Sequence, residues 1–209
     1  MSSKKEPLRW FEKWRQVKTW QLLALMVLFF YISATFLRLN NVGMDERRSA
    51  VVSADKVGDA DVIQNRLYDL QQYSLSHMNA TTGDIYLKYK YGRDVEVLVK
   101  EVEESNKPYK NIFKESDTIC KGRFYGYSQE YVQCVNSELA KYPSMKNPIT
   151  DIAFPNPDLY KHSFLSPLWS FDFAGISVLV LFVLIIAVVV KIITSVVLII
   201  MLKRQYRQV

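Results

Sequence analysis

The stretch TWQLLALMVLFFYISATFLRL, residues 19–39, carries a single charged side chain, Arg38, close to its end. As an α-helix with a rise of 1.5 Å per residue, it reaches roughly 30 Å, the thickness of the hydrocarbon core of a bilayer. A cleaved signal peptide is the alternative, since basic residues precede the run. The apolar region is too long for one, however, and no clear small-residue cleavage site follows it. The stretch therefore predicts an uncleaved first transmembrane helix over 19–39.

A second apolar run follows at residues 173–202, and it predicts another transmembrane helix over 171–202. As one helix this run would measure about 45 Å, which exceeds an ordinary span unless the helix tilts or projects. We expect the span itself to cover 173–190, with an extension to 202. Trp169, Phe171 and Phe173 lie at its start, as the aromatic belt of a membrane interface would.

Lys191 is the one charged residue inside the second run. If the span covers 173–190, about 27 Å, Lys191 lies at the cytoplasmic boundary, where its flexible side chain can reach the headgroups. A span centred on Lys191 would instead need an acidic partner. The first run contains no acidic residue, and Asp172 lies about 28 Å away along the helix. The sequence favours the boundary position, and the central position would require a charge from a second protein.

Basic residues flank the two runs, whereas the segment between them is slightly acidic. Residues 1–18 hold six Lys or Arg and two Glu, residues 203–209 hold three Lys or Arg, and residues 40–172 hold 16 Lys or Arg against 19 Asp or Glu. Positive flanks stay in the cytoplasm, so we expect a basic cytoplasmic arm over 1–18, an extracytoplasmic domain over 40–170 and a basic cytoplasmic tail over 203–209. The net charge of +6 thus reflects topology, and nucleic acid is not an expected partner.

The predicted fold class is a mainly α membrane protein whose two transmembrane helices bracket a small, mostly helical domain. Apolar residues at three- and four-residue steps predict a long helix over about 44–78, which Gly58 could bend and residues 40–43 could separate from the first span. The same periodicity predicts a helix over about 93–105, and Ser128 suits the N-cap of a helix over about 128–141.

Two segments of this domain do not read as helices. Residues 84–91 alternate as one strand would, but no partner strand is clear, so a helix or an extended linker fits equally well. Five prolines within residues 143–167 predict an extended segment that leads the chain back to the membrane.

Cys120 and Cys134 are the only cysteines, and both fall on the predicted extracytoplasmic side. An oxidising exterior predicts a disulfide between them, worth about 3 kcal/mol for a 15-residue loop in the chain-entropy model. A Cys2His2 metal site with His77 and His162 is the rival, but the close ligand spacing of structural zinc is missing. We therefore expect neither a metal nor a cofactor. Asn79 begins a glycosylation sequon, which matters only in a host that glycosylates.

Aromatic residues with one polar end form the candidate interface. Such side chains suit contacts with a protein or with lipid headgroups, and they suit an ordinary small core equally well. The candidates are Tyr86, Tyr89, Tyr91, Tyr125, Tyr127, Tyr131 and Trp169.

Motifs of the common enzyme classes are missing from the sequence. It contains no G-x-S-x-G, no H-E-x-x-H, no P-loop and no G-x-G-x-x-G. With two histidines and one expected disulfide, the chain offers few pairs of nucleophile and base. We therefore expect a protein that is not an enzyme and has no catalytic residues.

Three stretches together resemble an uncharacterised family of two-span membrane proteins from Saccharibacteria-like bacteria of the candidate phyla radiation. They are LYDLQQYSLSHMN at 67–79, GYSQEYVQCVNSELAKYP at 126–143 and NPDLYKHSFLSPLWSFDFAG at 156–175. The resemblance implies a bacterial cytoplasmic membrane, where the sequon would be irrelevant, and it implies no activity or site residues.

Two functions fit these expectations. The first is a membrane-anchored envelope protein whose helical domain binds another membrane or envelope protein, or a second copy of itself. The second is a sensor or ligand-binding domain that signals through the transmembrane helices of a partner, since a long helix leaves the first span directly.

Overall fold

The computed structural model describes residues 18–104, 110–142 and 153–206. Most of the predicted basic arm, the end of the basic tail and residues 143–152 of the proline-rich segment lie outside these ranges. Within them the chain is predominantly α-helical, as predicted, and contains six α-helices, one 3-10 helix and two short strands. The elements are α1 Thr19–Val57, α2 Ala60–Ser76, β1 Asp84–Tyr86, α3 Lys88–Glu104, α4 Lys110–Lys121, α5 Gln129–Leu139, a 3-10 helix Pro157–Tyr160, β2 Lys161–Ser163 and α6 Phe173–Tyr206.

The chain divides into two compact units. The first unit comprises Met1–Gly43, Leu75–Ala80 and Ser166–Val209, and the second comprises Met44–Ser74 and Thr81–Leu165. The first unit therefore contains α6 and the beginning of α1, whereas the second contains both strands and helices α3, α4 and α5.

Helices α1 and α6 are both long and apolar enough to cross a membrane. Only 6% and 11% of their most apolar windows are buried, whereas a core helix of a soluble protein would be mostly buried. Most apolar side chains of these two stretches are therefore exposed, as they are in a helix that crosses a bilayer.

Each of these two helices has a stripe of residues that are less exposed than their neighbours. Positions on the stripe alternate between steps of three and four, the spacing of a left-handed helix pair. The rings of Phe36 and Phe173 stack with their centroids 5.6 Å apart. The stripes include Thr19, Leu22, Met26, Phe29, Ser33, Phe36 and Asn40 on α1, and Ala174, Ser177, Leu181, Leu184, Val188 and Lys191 on α6.

Helix α1 continues for 39 residues without a break. Residues 40–43, where the sequence left a break open, are helical. The prediction of one continuous helix over 44–78 is wrong. Two helices cover this range, because α1 ends at Val57 and α2 begins at Ala60. Gly58 adopts a φ of +96°, and the Asp59 carboxylate accepts hydrogen bonds from the first N–H groups of α2. Val57, the last residue of α1, is 82% exposed.

Residues 84–91 divide between a strand and a helix. Strand β1 pairs antiparallel with β2, with Ile85 opposite His162, so the partner strand that the sequence did not show lies inside the proline-rich segment predicted to be extended. Helix α3 begins at Lys88, five residues before the predicted start at 93. The reason is the Asp55 carboxylate, which accepts hydrogen bonds from the N–H groups of Tyr89 and Lys90 and so caps α3 from a distant part of the chain.

Helix α5 begins after the predicted N-cap Ser128, whose hydroxyl accepts from the Tyr131 N–H at 3.3 Å. It ends at Leu139, two residues before the predicted end. Helix α4 was not predicted, because two of its four buried residues are the polar Ser116 and Asp117. An apolar stripe interrupted in this way gives no clear helical period.

Candidate functional site

The 121–128 loop joins α4 to α5 and has the sequence KGRFYGYS. Cys120 precedes it and Cys134 lies inside α5, and their sulfur atoms are 2.04 Å apart. The predicted pairing of these two cysteines is therefore confirmed. Because both are joined to each other, they offer no thiolates for the rival Cys2His2 site.

A buried carboxylate fastens the base of this loop from the side of α4. Asp117 accepts a hydrogen bond from the Tyr131 hydroxyl at 2.5 Å, and it pairs with the Lys121 ammonium at 2.8 Å. Burial raises the pKa of Tyr131, and the hydrogen bond to Asp117 raises it further. Tyr131 is therefore a neutral donor at physiological pH, and the network ties α4 to α5 beside the disulfide.

Further contacts hold the two ends of the loop. The carbonyl of Cys120 accepts hydrogen bonds from the N–H groups of Arg123 and Phe124. The Tyr127 ring packs edge-on against the Tyr131 ring, with centroids 5.2 Å apart. The Lys121 ammonium lies 5.3 Å from the centroid of the Tyr127 ring. The backbone at both ends of the loop is thus fixed by hydrogen bonds and side-chain packing.

The apex of the loop projects into solvent. Tyr125 is fully exposed, Arg123 is exposed, and Gly126 adopts a φ of +77°, which a residue with a side chain rarely adopts. The loop contains two basic residues and no acidic one. Tyrosine and arginine are the residue types that most often dominate binding energy at protein interfaces. Chemically, the apex can contact a protein surface.

The other candidate aromatics are distributed between core and surface. Tyr91 and Tyr131 are 2% and 0% exposed, so they belong to the core and cannot reach a partner. Burial raises the pKa of Tyr91 to about 12, which fits that position. Tyr86 and Tyr127 are half-buried. An interface role stays a prediction for the exposed Tyr125, Tyr89 and Trp169.

A polar cluster at the start of α6 is the second feature of note, and it lies entirely within the first unit. The Asp172 carboxylate accepts hydrogen bonds from the Asn40 amide at 2.5 Å, the Ser170 hydroxyl at 2.8 Å and the Gly175 N–H at 2.8 Å. The Asn40 amide also donates to the Met78 carbonyl, and the Met78 N–H donates to the Ser170 hydroxyl. The cluster joins α1, the turn after α2 and the N-terminus of α6.

The charge of Asp172 stabilises this cluster. Partial burial would raise the pKa of the Asp172 carboxyl, but the hydrogen bonds from Gly175, Asn40 and Ser170 outweigh it, so the pKa lies below its usual 3.8. A carboxyl group whose pKa is lowered by folding stabilises the fold at pH values above its ordinary pKa. This contribution is lost as the pH falls through the lowered pKa. An anion at a helix N-terminus is favoured by the helix dipole as well.

The sequon residue Asn79 also takes part in the first unit. Its side-chain amide donates to the Leu37 carbonyl at 3.1 Å, and its φ is +59°. The geometry therefore assigns Asn79 a structural contact.

Gly175 gives a direct test of this part of the structure. A Cβ at this position would lie 1.8 Å from the Ser170 carbonyl oxygen, so Gly175→Ala must displace backbone. We expect it to lower the free energy of unfolding by about 2–3 kcal/mol, in the upper part of the range for overpacking. The measurement is the thermal midpoint of the full chain in detergent.

The matched control for this substitution is Gly92→Ala in α3. Its Cβ would meet the Tyr127 carbonyl at 3.5 Å, an ordinary contact, and alanine favours a helix interior by up to about 1 kcal/mol. We expect Gly92→Ala to leave the midpoint unchanged or raise it. Equal midpoints for Gly175→Ala and the unmodified chain would contradict the close approach to Ser170.

Lys191 is the last residue of the less exposed stripe on α6, and its carbonyl accepts hydrogen bonds from Thr194 and Ser195. The side chains described beyond it, up to Ile200, are exposed. Its position at the cytoplasmic boundary of a membrane stays a prediction. Within the described residues no group of three or more His, Cys, Asp or Glu could hold a metal ion.

Comparison with known proteins gives no match to a protein family, to a curated protein or to a solved structure. The resemblance to two-span proteins of Saccharibacteria-like bacteria therefore stays a prediction. Any functional conclusion rests on the geometry of this chain alone.

Proposed function

We propose that this chain is a membrane-anchored, non-enzymatic envelope protein whose second unit binds a protein partner through the apex of the 121–128 loop. Helices α1 and α6 anchor it, both termini are cytoplasmic, and the second unit is extracytoplasmic. The basic residues that flank the two apolar helices support this orientation. The cysteine pair supports it too, because disulfides persist in oxidising compartments.

One observation carries the binding proposal: a fully exposed tyrosine, Tyr125, on a loop whose two ends are fixed. Exposed aromatic side chains on flexible loops lose conformational entropy when they bind. A loop already held by a disulfide, by the hydrogen bond from Tyr131 to the buried Asp117 and by ring packing loses less, so more of the contact energy remains as affinity. Arg123 beside the tyrosine adds a charged donor suited to a carboxylate or carbonyl group on the partner.

Site-specific photocross-linking in cells tests the proposal. We expect p-benzoylphenylalanine at position 125 of the full chain to give one discrete cross-linked product. We expect Tyr125→Ala to reduce recovery of the same partner at least about tenfold, the effect of an interface hot spot. The matched control places the photoreactive residue at Val97, which is 65% exposed on α3 of the same unit.

Two results would contradict the binding role. Equal cross-linking from positions 125 and 97 would indicate random encounters, and no product from position 125 would indicate that the apex contacts no protein. A product that contains only a second copy of this chain would identify the partner as the protein itself.

A sensor is the second candidate, and the continuity of α1 favours it. The helix runs unbroken from the first unit into Met44–Val57 of the second unit. A change in the packing of that second part can therefore rotate or shift the rest of the same helix. Ligand-dependent stabilisation of the full chain in a thermal-shift screen, with no cross-link from position 125, would favour the sensor over the binding protein.

A further inference from the structure

Large apolar side chains project from the 166–173 segment of the first unit, which ends at the first residue of α6. Leu168 is 100% exposed, Phe171 is 89% exposed and Phe173 is 75% exposed. Exposure on this scale, in three side chains within six residues, marks a contact surface.

The backbone and polar groups of this segment are held internally. The Trp169 indole N–H donates to the Gly175 carbonyl at 3.1 Å, and the Trp169 and Phe171 rings meet edge-on with centroids 4.4 Å apart. The Ser170 hydroxyl both accepts from the Met78 N–H and donates to Asp172. The segment is therefore an ordered hook whose apolar side chains point outward while its polar groups are satisfied inside.

Chain continuity determines what this surface can contact. Phe173 is the first residue of α6 and of its membrane-crossing stretch. Leu168 lies five residues earlier, so at most about 17 Å of chain separates the two. The polar layers of a bilayer add roughly 5–7 Å on each side of its hydrocarbon core. If α6 enters a membrane at Phe173, Phe171 lies within this headgroup layer, because it is only two residues and at most about 7 Å earlier, and Leu168 is within reach of the layer.

Charge does not oppose such a contact. The sequence SPLWSFDF contains a single charged residue, Asp172. Both oxygens of its carboxylate accept hydrogen bonds within the polar cluster, so the projecting face itself is uncharged. A tryptophan, two phenylalanines and a leucine are the residues that enter the boundary between headgroups and acyl chains.

We propose that the 166–173 segment is a lipid-binding surface that inserts Leu168 and Phe171 into the boundary between headgroups and acyl chains beside α6. The partner of this surface is the bilayer. The proposal rests on the membrane anchoring proposed above, and it adds that the chain rests on the membrane surface outside its two spans. The hook sets the depth at which α6 enters the bilayer.

Environment-sensitive labels on the full chain in phosphatidylcholine vesicles test the insertion. Leu168→Cys and Phe171→Cys are labelled separately with a nitrobenzoxadiazole maleimide, since the two native cysteines are paired and do not react. We expect blue-shifted emission at both positions, loss of emission in vesicles with brominated acyl chains, and little quenching by aqueous iodide. Phe182→Cys in the middle of α6 serves as the control in lipid, and Tyr125→Cys serves as the control in water.

The controls separate failure of this proposal from failure of the anchoring. If brominated lipid quenches the label at position 182 but not at 168 or 171, the surface does not enter lipid and the proposal is wrong, while the anchoring stands. Shielding of positions 168 and 171 from both quenchers would indicate a protein contact and would also overturn it. If position 182 escapes brominated lipid as well, the anchoring itself fails.

Discussion

Replacing Cys120 and Cys134 together by alanine is expected to lower the free energy of unfolding of the second unit by about 3 kcal/mol. The disulfide closes a loop that contains the end of α4, the 121–128 loop and the beginning of α5, and opening it restores the conformational freedom of the unfolded chain. The measurement is pulse proteolysis of the full chain in detergent across a urea series, which reports the fraction of molecules in which this unit is unfolded.

Reduction of the unmodified chain provides the control, because it opens the same loop without changing a side chain. We expect reduced and substituted proteins to unfold at the same urea concentration, and amide exchange in residues 121–128 to become faster in both. A substituted chain as stable as the oxidised protein would show that the Asp117 network alone holds α4 against α5.

Asp55→Ala is expected to lower the free energy of unfolding of the second unit by about 2–4 kcal/mol. The carboxylate is 2% exposed and accepts hydrogen bonds from Tyr89 and Lys90 at the first turn of α3, at 3.0 and 2.8 Å. Its ion pair with Arg93 at 3.4 Å contributes less, because the arginine side chain is 37% exposed and screened by solvent. Most of the loss therefore comes from the partly buried N–H groups of α3 that lose their cap.

The control for Asp55 is another aspartate in an ion pair. Asp69 pairs with Arg47 at 3.3 Å, but its side chain is 52% exposed, so we expect Asp69→Ala to change stability by less than about 1 kcal/mol. Both variants are compared by the same urea series. A similar loss in the two would mean that Asp55 acts through its charge alone and that the capping of α3 is unimportant.

Features that depend on neighbours in sequence could be predicted. The apolar runs predicted the first part of α1 and most of α6, because every residue in each run contributes to the same signal. Ser128 predicted the start of α5, since an N-cap acts within one turn. The cysteine pairing followed from count and compartment rather than from geometry.

Features that depend on residues far apart in the sequence could not be predicted. Helix α3 begins early because Asp55, more than thirty residues before it, caps its first turn, and no local pattern shows this. Strand β2 is three residues long and lies among prolines, and α3, α4 and α5 separate it from its partner β1 in the sequence. The 121–128 loop was included only through its tyrosines, because the buried Asp117 that fixes it appears in the sequence as one polar residue among several.

The pairing of β1 with β2 has a consequence for the order of events during synthesis. Residues 87–160 separate the two strands, so the second unit cannot close until nearly all of it has left the ribosome. Only nine residues then remain between Ser163 and the first residue of α6. Closure of the second unit and synthesis of α6 therefore fall together in time, and a chain that stalls before Lys161 presents β1 as an unpaired edge open to aggregation.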